Sequence, residues 1–211
     1  MKMLCLILIS LSFITSGCTY GYRVSVNGYS ELTQPIEPNA PFYVSTNDPN
    51  SLNPIFDNQI KSKIEALLER HNYTVVPDIN DSQYVISFRS SSNSEHYYSY
   101  EPRYNTYFGY HHGYWSGYDF GYTTYIPYHD TYYNKLFSMK VSARKDNSDD
   151  SNDKAVWVGE AAISTGTDDM RKIIDYLLVG CFRYFGADTS RKRSFVISED
   201  NLDILEIQSV R

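Results

Sequence analysis

The sequence predicts an α+β domain: a mostly antiparallel sheet with two amphipathic helices packed on one face, plus a long Tyr/Gly/His-rich insertion. Three observations carry that expectation. Two stretches repeat apolar residues at spacings of three and four, several shorter ones alternate, and residues 96–133 do neither.

Taken in order, Tyr22 to Tyr29 alternates as a strand, with Tyr22, Val24 and Val26 on one face. Pro35, Pro38 and Pro41 punctuate a loop, Phe42 to Ser45 reads as a short strand, and Asn47 to Ser51 as a turn. From Pro54 to His71, Phe56, Ile60, Ile64, Leu67 and Leu68 form one stripe while Asp57, Lys61, Lys63, Glu65 and Glu69 fill the other faces. Pro54 suits the first turn of such a helix.

Strands are next expected at Thr74–Val76, Tyr84–Ser90, Leu136–Lys145 and Ala155–Ser164, the last two joined by the polar run from Asp146 to Asp153. The second helix is expected from Asp168 to Phe185, capped by Thr167 and stopped by Gly186. Beyond it, Ser194–Ser198 reads as an edge strand and Asn201–Ile207 as a short helix, with a mobile tail the alternative.

The insertion at 96–133 holds thirteen of the 21 Tyr and four of the five His. Gly109-Tyr110, Gly113-Tyr114, Gly117-Tyr118 and Gly121-Tyr122 repeat every four residues. Gly at each step disfavours a helix, so an extended or disordered excursion from a sheet edge is expected. Tyr110, Tyr114, Trp115, Tyr118 and Tyr122 are its candidate binding residues, because their rings stack on sugars or other aromatics while hydroxyls hydrogen-bond. His96, His111, His112 and His129, with Asp119 and Asp130, are candidate ligands for zinc, copper or nickel.

Compartment is written at the start of the chain. Lys2 precedes an apolar run from Met3 to Ile14, then Thr15, Ser16 and Gly17 lead into Cys18. That is the layout of an export signal, too short before its small residues to span a bilayer. Thr15-Ser16-Gly17-Cys18 resembles a bacterial lipobox. The resemblance implies residues 1–17 as a signal peptide and Cys18 as a diacylglycerol-bearing first residue, with plain secretion or an uncleaved anchor as the alternatives. Residues 18–21 would then be the tether, 22–186 the domain and 187–211 a C-terminal extension. Thr19 stands where many inner-membrane lipoproteins have Asp, so the resemblance to sorted lipoproteins implies an outer-membrane, periplasm-facing location. Cys5 leaves with the signal and Cys18 is acylated, so Cys181 alone remains and is expected inside the second helix as a small hydrophobe.

The balance of 19 Lys+Arg against 25 Asp+Glu, a net charge of -6, excludes nucleic acid as the main partner. No Gly-x-Ser-x-Gly, His-Glu-x-x-His, Cys-x-x-Cys or phosphate-binding Gly loop is present, so neither enzyme chemistry nor a cofactor is expected. The expected role is a non-catalytic, lipid-anchored envelope module whose Tyr-rich loop meets an envelope protein or glycan. A metal-binding module is the alternative, and a motif-less enzyme a further one.

Finally, Leu67-Leu68-Glu69-Arg70-His71-Asn72-Tyr73, Tyr84-Val85-Ile86-Ser87-Phe88 and Ala155-Val156-Trp157-Val158-Gly159-Glu160-Ala161 occur in that order after the lipobox Cys. In this the chain resembles the envelope lipoproteins grouped as domain of unknown function 4136, over roughly Tyr22 to Phe185. The resemblance implies a periplasm-facing lipoprotein with no established catalytic residues. It carries over Cys18 alone.

Overall fold

A computed structural model describes residues 20–46, 53–107, 120–144 and 154–210, with backbone alone at 105–107 and 120–122. The elements run β1 (Gly21–Ser30), β2 (Pro41–Ser45), α1 (Pro54–Arg70), β3 (Thr74–Val75), β4 (Tyr84–Tyr107), β5 (Phe120–Ala143), β6 (Lys154–Thr165), α2 (Ile174–Phe182), β7 (Arg193–Ser198) and α3 (Leu202–Ser209). Among the described residues this is a mixed α+β fold with three helices and one seven-stranded sheet, ordered β3-β2-β4-β5-β6-β1-β7. Every pairing is antiparallel except those of β2 with β3 and β4.

Strand alternation builds the core. Val24 and Val26 of β1, Phe137, Met139 and Val141 of β5, and Trp157, Ala161 and Ile163 of β6 are all buried. Their neighbours in sequence point the other way, as a pleated strand requires. Helix α1 starts where the Asn53 side chain accepts the Phe56 N–H (3.1 Å) and Pro54 occupies the first turn. It ends before Asn72, whose φ of 63° lies in the left-handed region. Ile60, Ile64, Leu67 and Leu68 are the residues it buries.

Helix α2 is shorter than expected. The Thr167 hydroxyl accepts the Asp169 N–H (3.3 Å) and the Asp169 carboxylate accepts the Arg171 N–H (3.0 Å). Side chains that bond nearby backbone in this way compete with regular helix, and residues Met170–Lys172 form a 3-10 turn instead. All nine residues of α2 are buried, Cys181 among them. Gly180 lets the helix approach β1: a Cβ there would lie 2.8 Å from Val24 Cγ1.

The chain after Gly186 joins the same core. β7 pairs along β1, Ile197, Ile204 and Ile207 are buried, and Arg70 of α1 is ion-paired to Asp203 and Glu206 of α3. Among the described residues, then, the ordered alternative for the tail is the one observed.

The insertion departs most from expectation. It does not leave a sheet edge, because β4 and β5 are inner strands that run straight on into it, paired residue for residue from Tyr84–Ala143 out to Tyr107–Phe120. The Gly-Tyr repeat falls mainly on 108–119, outside the described residues, while its flanks carry enough Tyr and Thr for a pleated ribbon.

Candidate functional site

The candidate surface is the ribbon made by the outer halves of β4 and β5. β2 pairs with β4 only as far as Ser87, and β6 pairs with β5 only between Tyr133 and Ala143. Among the described residues, from Glu95–Tyr132 outward, 13 residues of each strand have only each other. At about 3.3 Å per residue, that two-stranded arm reaches about 40 Å from the sheet.

Because side chains alternate, the register sorts the arm into two faces. On the face continuous with the buried Phe137, Met139 and Val141 of β5 stand His96, Tyr98, Tyr100, Pro102 and Tyr104 of β4, opposite Thr131, His129, Pro127, Tyr125 and Thr123 of β5. None of them is Asp, Glu, Lys or Arg. On the other face stand Glu95, Tyr97, Ser99, Glu101 and Arg103, opposite Tyr132, Asp130, Tyr128, Ile126 and Thr124. All four charged groups among the arm's described side chains are therefore on one side.

Tyr98, Tyr100, Tyr104 and Tyr125 are 67–75% exposed, so the uncharged face is an open row of phenol rings. His96 Nδ1 lies 3.1 Å from Thr131 Oγ1, and the His129 ring sits edge-on to Tyr98, centroids 4.8 Å apart. On the charged face Tyr97 packs edge-on against Tyr132 at 5.6 Å. The Asp130 carboxylate, hydrogen-bonded to Tyr132, holds that phenol's pKa above its ordinary value.

Where the arm meets the body, Lys135 is wholly buried on the helix side of β5. Its ammonium donates to the Asp168 carbonyl (2.6 Å) and to Ser92 Oγ (3.3 Å), tying both arm strands to the loop that leads into α2. Burial pulls its pKa below the usual lysine value, against the opposing pull of the Asp168 and Asp169 carboxylates. Sequence reasoning passed over this residue. Its signal was phase: Lys135 falls in the same alternation as Phe137, Met139 and Val141.

Of the candidate residues, His96 and His129 share the uncharged face as diagonal neighbours, each engaged with its own local partner. Tyr122 belongs to β5, its backbone opposite Asn105. Tyr110, Tyr114, Trp115, Tyr118, His111 and His112 lie outside the described residues, as does Cys18. Among the described residues no group of three or more His, Cys, Asp or Glu is placed to hold a metal ion. No described helix is long and apolar enough to cross a membrane.

An α+β body carrying a long two-stranded arm is thus the class of protein that fold and surface define. The chain belongs to the family described as domain of unknown function (DUF4136), whose pattern matches residues 19–185. No curated protein matches it significantly. Among solved structures it is similar to a PDZ domain protein from Parabacteroides distasonis, with 17% identity over 90% of this chain and a TM-score of 0.49. The chain spans 42% of that protein's length. It is also similar to PelC dodecamers from Paraburkholderia phytofirmans, at 11% and 12% identity, TM-scores 0.39 and 0.38, covering 77% of this chain and 95% of those.

Proposed function

We propose that this protein is a non-catalytic binding module of the cell envelope, held by lipid at Cys18 on an outer membrane and facing the periplasm. In this reading the sheet and its amphipathic helices are the pedestal, and the Tyr/Gly/His-rich insertion is the contact surface for an envelope protein or glycan. The single observation behind it is the exposed phenols on both faces of an arm that nothing in the described fold covers, Tyr97, Tyr128 and Tyr132 on the charged face among them. A tyrosine combines a flat apolar face with a polar tip at little conformational cost, which is what adaptable contact surfaces use.

Excising the arm tests the proposal. Ser94 and Tyr133 are directly opposed, so Asn-Gly can join them as a two-residue hairpin turn in place of residues 95–132. The excised protein should keep its fold and its membrane anchoring but lose its cross-linked partners in intact envelopes. An unchanged set of partners would overturn the assignment of the arm, and mass spectrometry showing an unacylated Cys18 would overturn the anchor.

A further inference from the structure

The arm and the start of the chain leave the sheet at the same end. Ser25 of β1 pairs with Ala162, Ala162 with Leu136, and Leu136 with Ser91. Following β1 back from Ser25 to Gly21 therefore runs the same way as β5 from Leu136 to Tyr133 and β4 from Ser91 to Ser94. That is the direction in which the arm departs.

Only β6 separates β1 from β5, so Gly21 and the arm's root are about 10 Å apart across the sheet, with strand directions turned by about 45° through its twist. Three peptide steps separate Gly21 from Cys18, a reach of at most about 11 Å. With a lipid at Cys18, so short a tether holds the arm end of the body near the bilayer and puts an arm of about 40 Å within reach of it.

From this we infer that the arm docks obliquely on the membrane surface, its uncharged tyrosine face seated among the lipid headgroups and its charged face, with Tyr97, Tyr128 and Tyr132, left in water for the envelope contact proposed above. The inference rests on the lipid-anchor reading given above. The segregation of charge is what an interfacial element needs, since Tyr favours the headgroup level while Glu101, Arg103 and Asp130 would be costly in hydrocarbon. A lone hairpin cannot span, because both its edges would leave backbone groups unpaired in lipid. A two-stranded ribbon is also marginal in water alone, and headgroup contact supplies the missing support.

Pro102 and Pro127 argue against the rival occupant, a further β-strand. Each lacks the N–H that an added strand would use, one on each open edge.

The test uses the full lipidated protein in vesicles of phosphatidylethanolamine and phosphatidylglycerol. Acylation occupies the Cys18 thiol in this reading and Cys181 is buried, so one introduced Cys takes an environment-sensitive dye selectively. Dye on Tyr100→Cys or Tyr125→Cys should shift to the blue and be quenched by headgroup-level spin labels; dye on Ser99→Cys or Tyr128→Cys should not. Solvent-like spectra at all four sites in protein that floats with vesicles would overturn the inference while leaving the anchor intact. Quenching at the bilayer midplane would overturn it in favour of insertion. Protein that fails to float overturns the anchor reading and the inference with it.

Discussion

The indole of Trp157 lies across Gly159 on the buried side of β6, so close that a Cβ on Gly159 would come within 2.2 Å of its ring. The ring is fixed from the far side by its Nε1–H donating to the Ala187 carbonyl (3.0 Å) and by Phe185 at 5.1 Å between centroids. This gives the Trp-x-Gly phrase in the sequence a steric cause: residues two apart share a face, and only Gly leaves room. Gly159→Ala should destabilise the fold by about 1–3 kcal/mol, as overpacking a filled core does. Urea unfolding followed by Trp fluorescence measures it; a midpoint equal to wild type would contradict the steric account.

Lys135 has a pH signature. Its folded pKa is depressed by burial, while in the unfolded chain it returns to about 10.4. Between those values the unfolded state binds the extra proton, so this group's contribution to stability rises with pH. Tyr176 acts oppositely: burial pushes its phenol up to about 12, and its contribution falls as pH climbs from about 10. Lys135→Met isolates the lysine. The variant should lie within about 1 kcal/mol of wild type at neutral pH, since an apolar replacement of a buried charge is often neutral or stabilising. The difference between the two proteins should drift toward wild type as pH rises through the alkaline window, and a pH-independent difference would refute the assignment.

Lys63 on α1 and Asp175 on α2 meet at 2.5 Å, with only 16% and 8% of their side chains exposed. Removing one partner strands the other charge in a poorly solvated position. Asp175→Ala should therefore cost about 3 kcal/mol, whereas Lys63→Met with Asp175→Leu should recover most of that loss. A double-mutant cycle in chemical denaturation reads the coupling, and additive single effects would show that the pair does not act as a unit.

The arm prolines make a prediction about solubility. Pro102→Thr together with Pro127→Val gives each open edge a continuous row of donors and two more β-formers. The double variant should self-associate at concentrations where wild type is monodisperse, by light scattering. Equal behaviour would mean that some other feature of the arm keeps strands apart.

Much of the body was legible because its signals are local. Val24 and Val26 alternate, Ile60, Ile64, Leu67 and Leu68 recur at helical spacing, and Gly186 turns with φ +75° where a stop was expected. The arm was not, for a specific reason. Alternation was sought between apolar and polar residues, but here it separates charged from uncharged ones: Glu95, Glu101 and Arg103 are odd-numbered, Tyr98, Tyr100 and Tyr104 even. With tyrosine on both faces, hydropathy shows no period. The parallel pairing of β2 with β4 and the place of β7 beside β1 depend on contacts far apart in sequence, which no local pattern encodes.

That last placement bears on how the protein is made. Among the described residues β1, first of the strands in chain order, lies between β6 and β7, which come last. Its backbone therefore finds no lasting strand partner until β6 and β7, more than a hundred residues later, have emerged, and non-local closure of this kind is slow. A polypeptide wired this way stays threadable through most of its synthesis, as the envelope location proposed above would require.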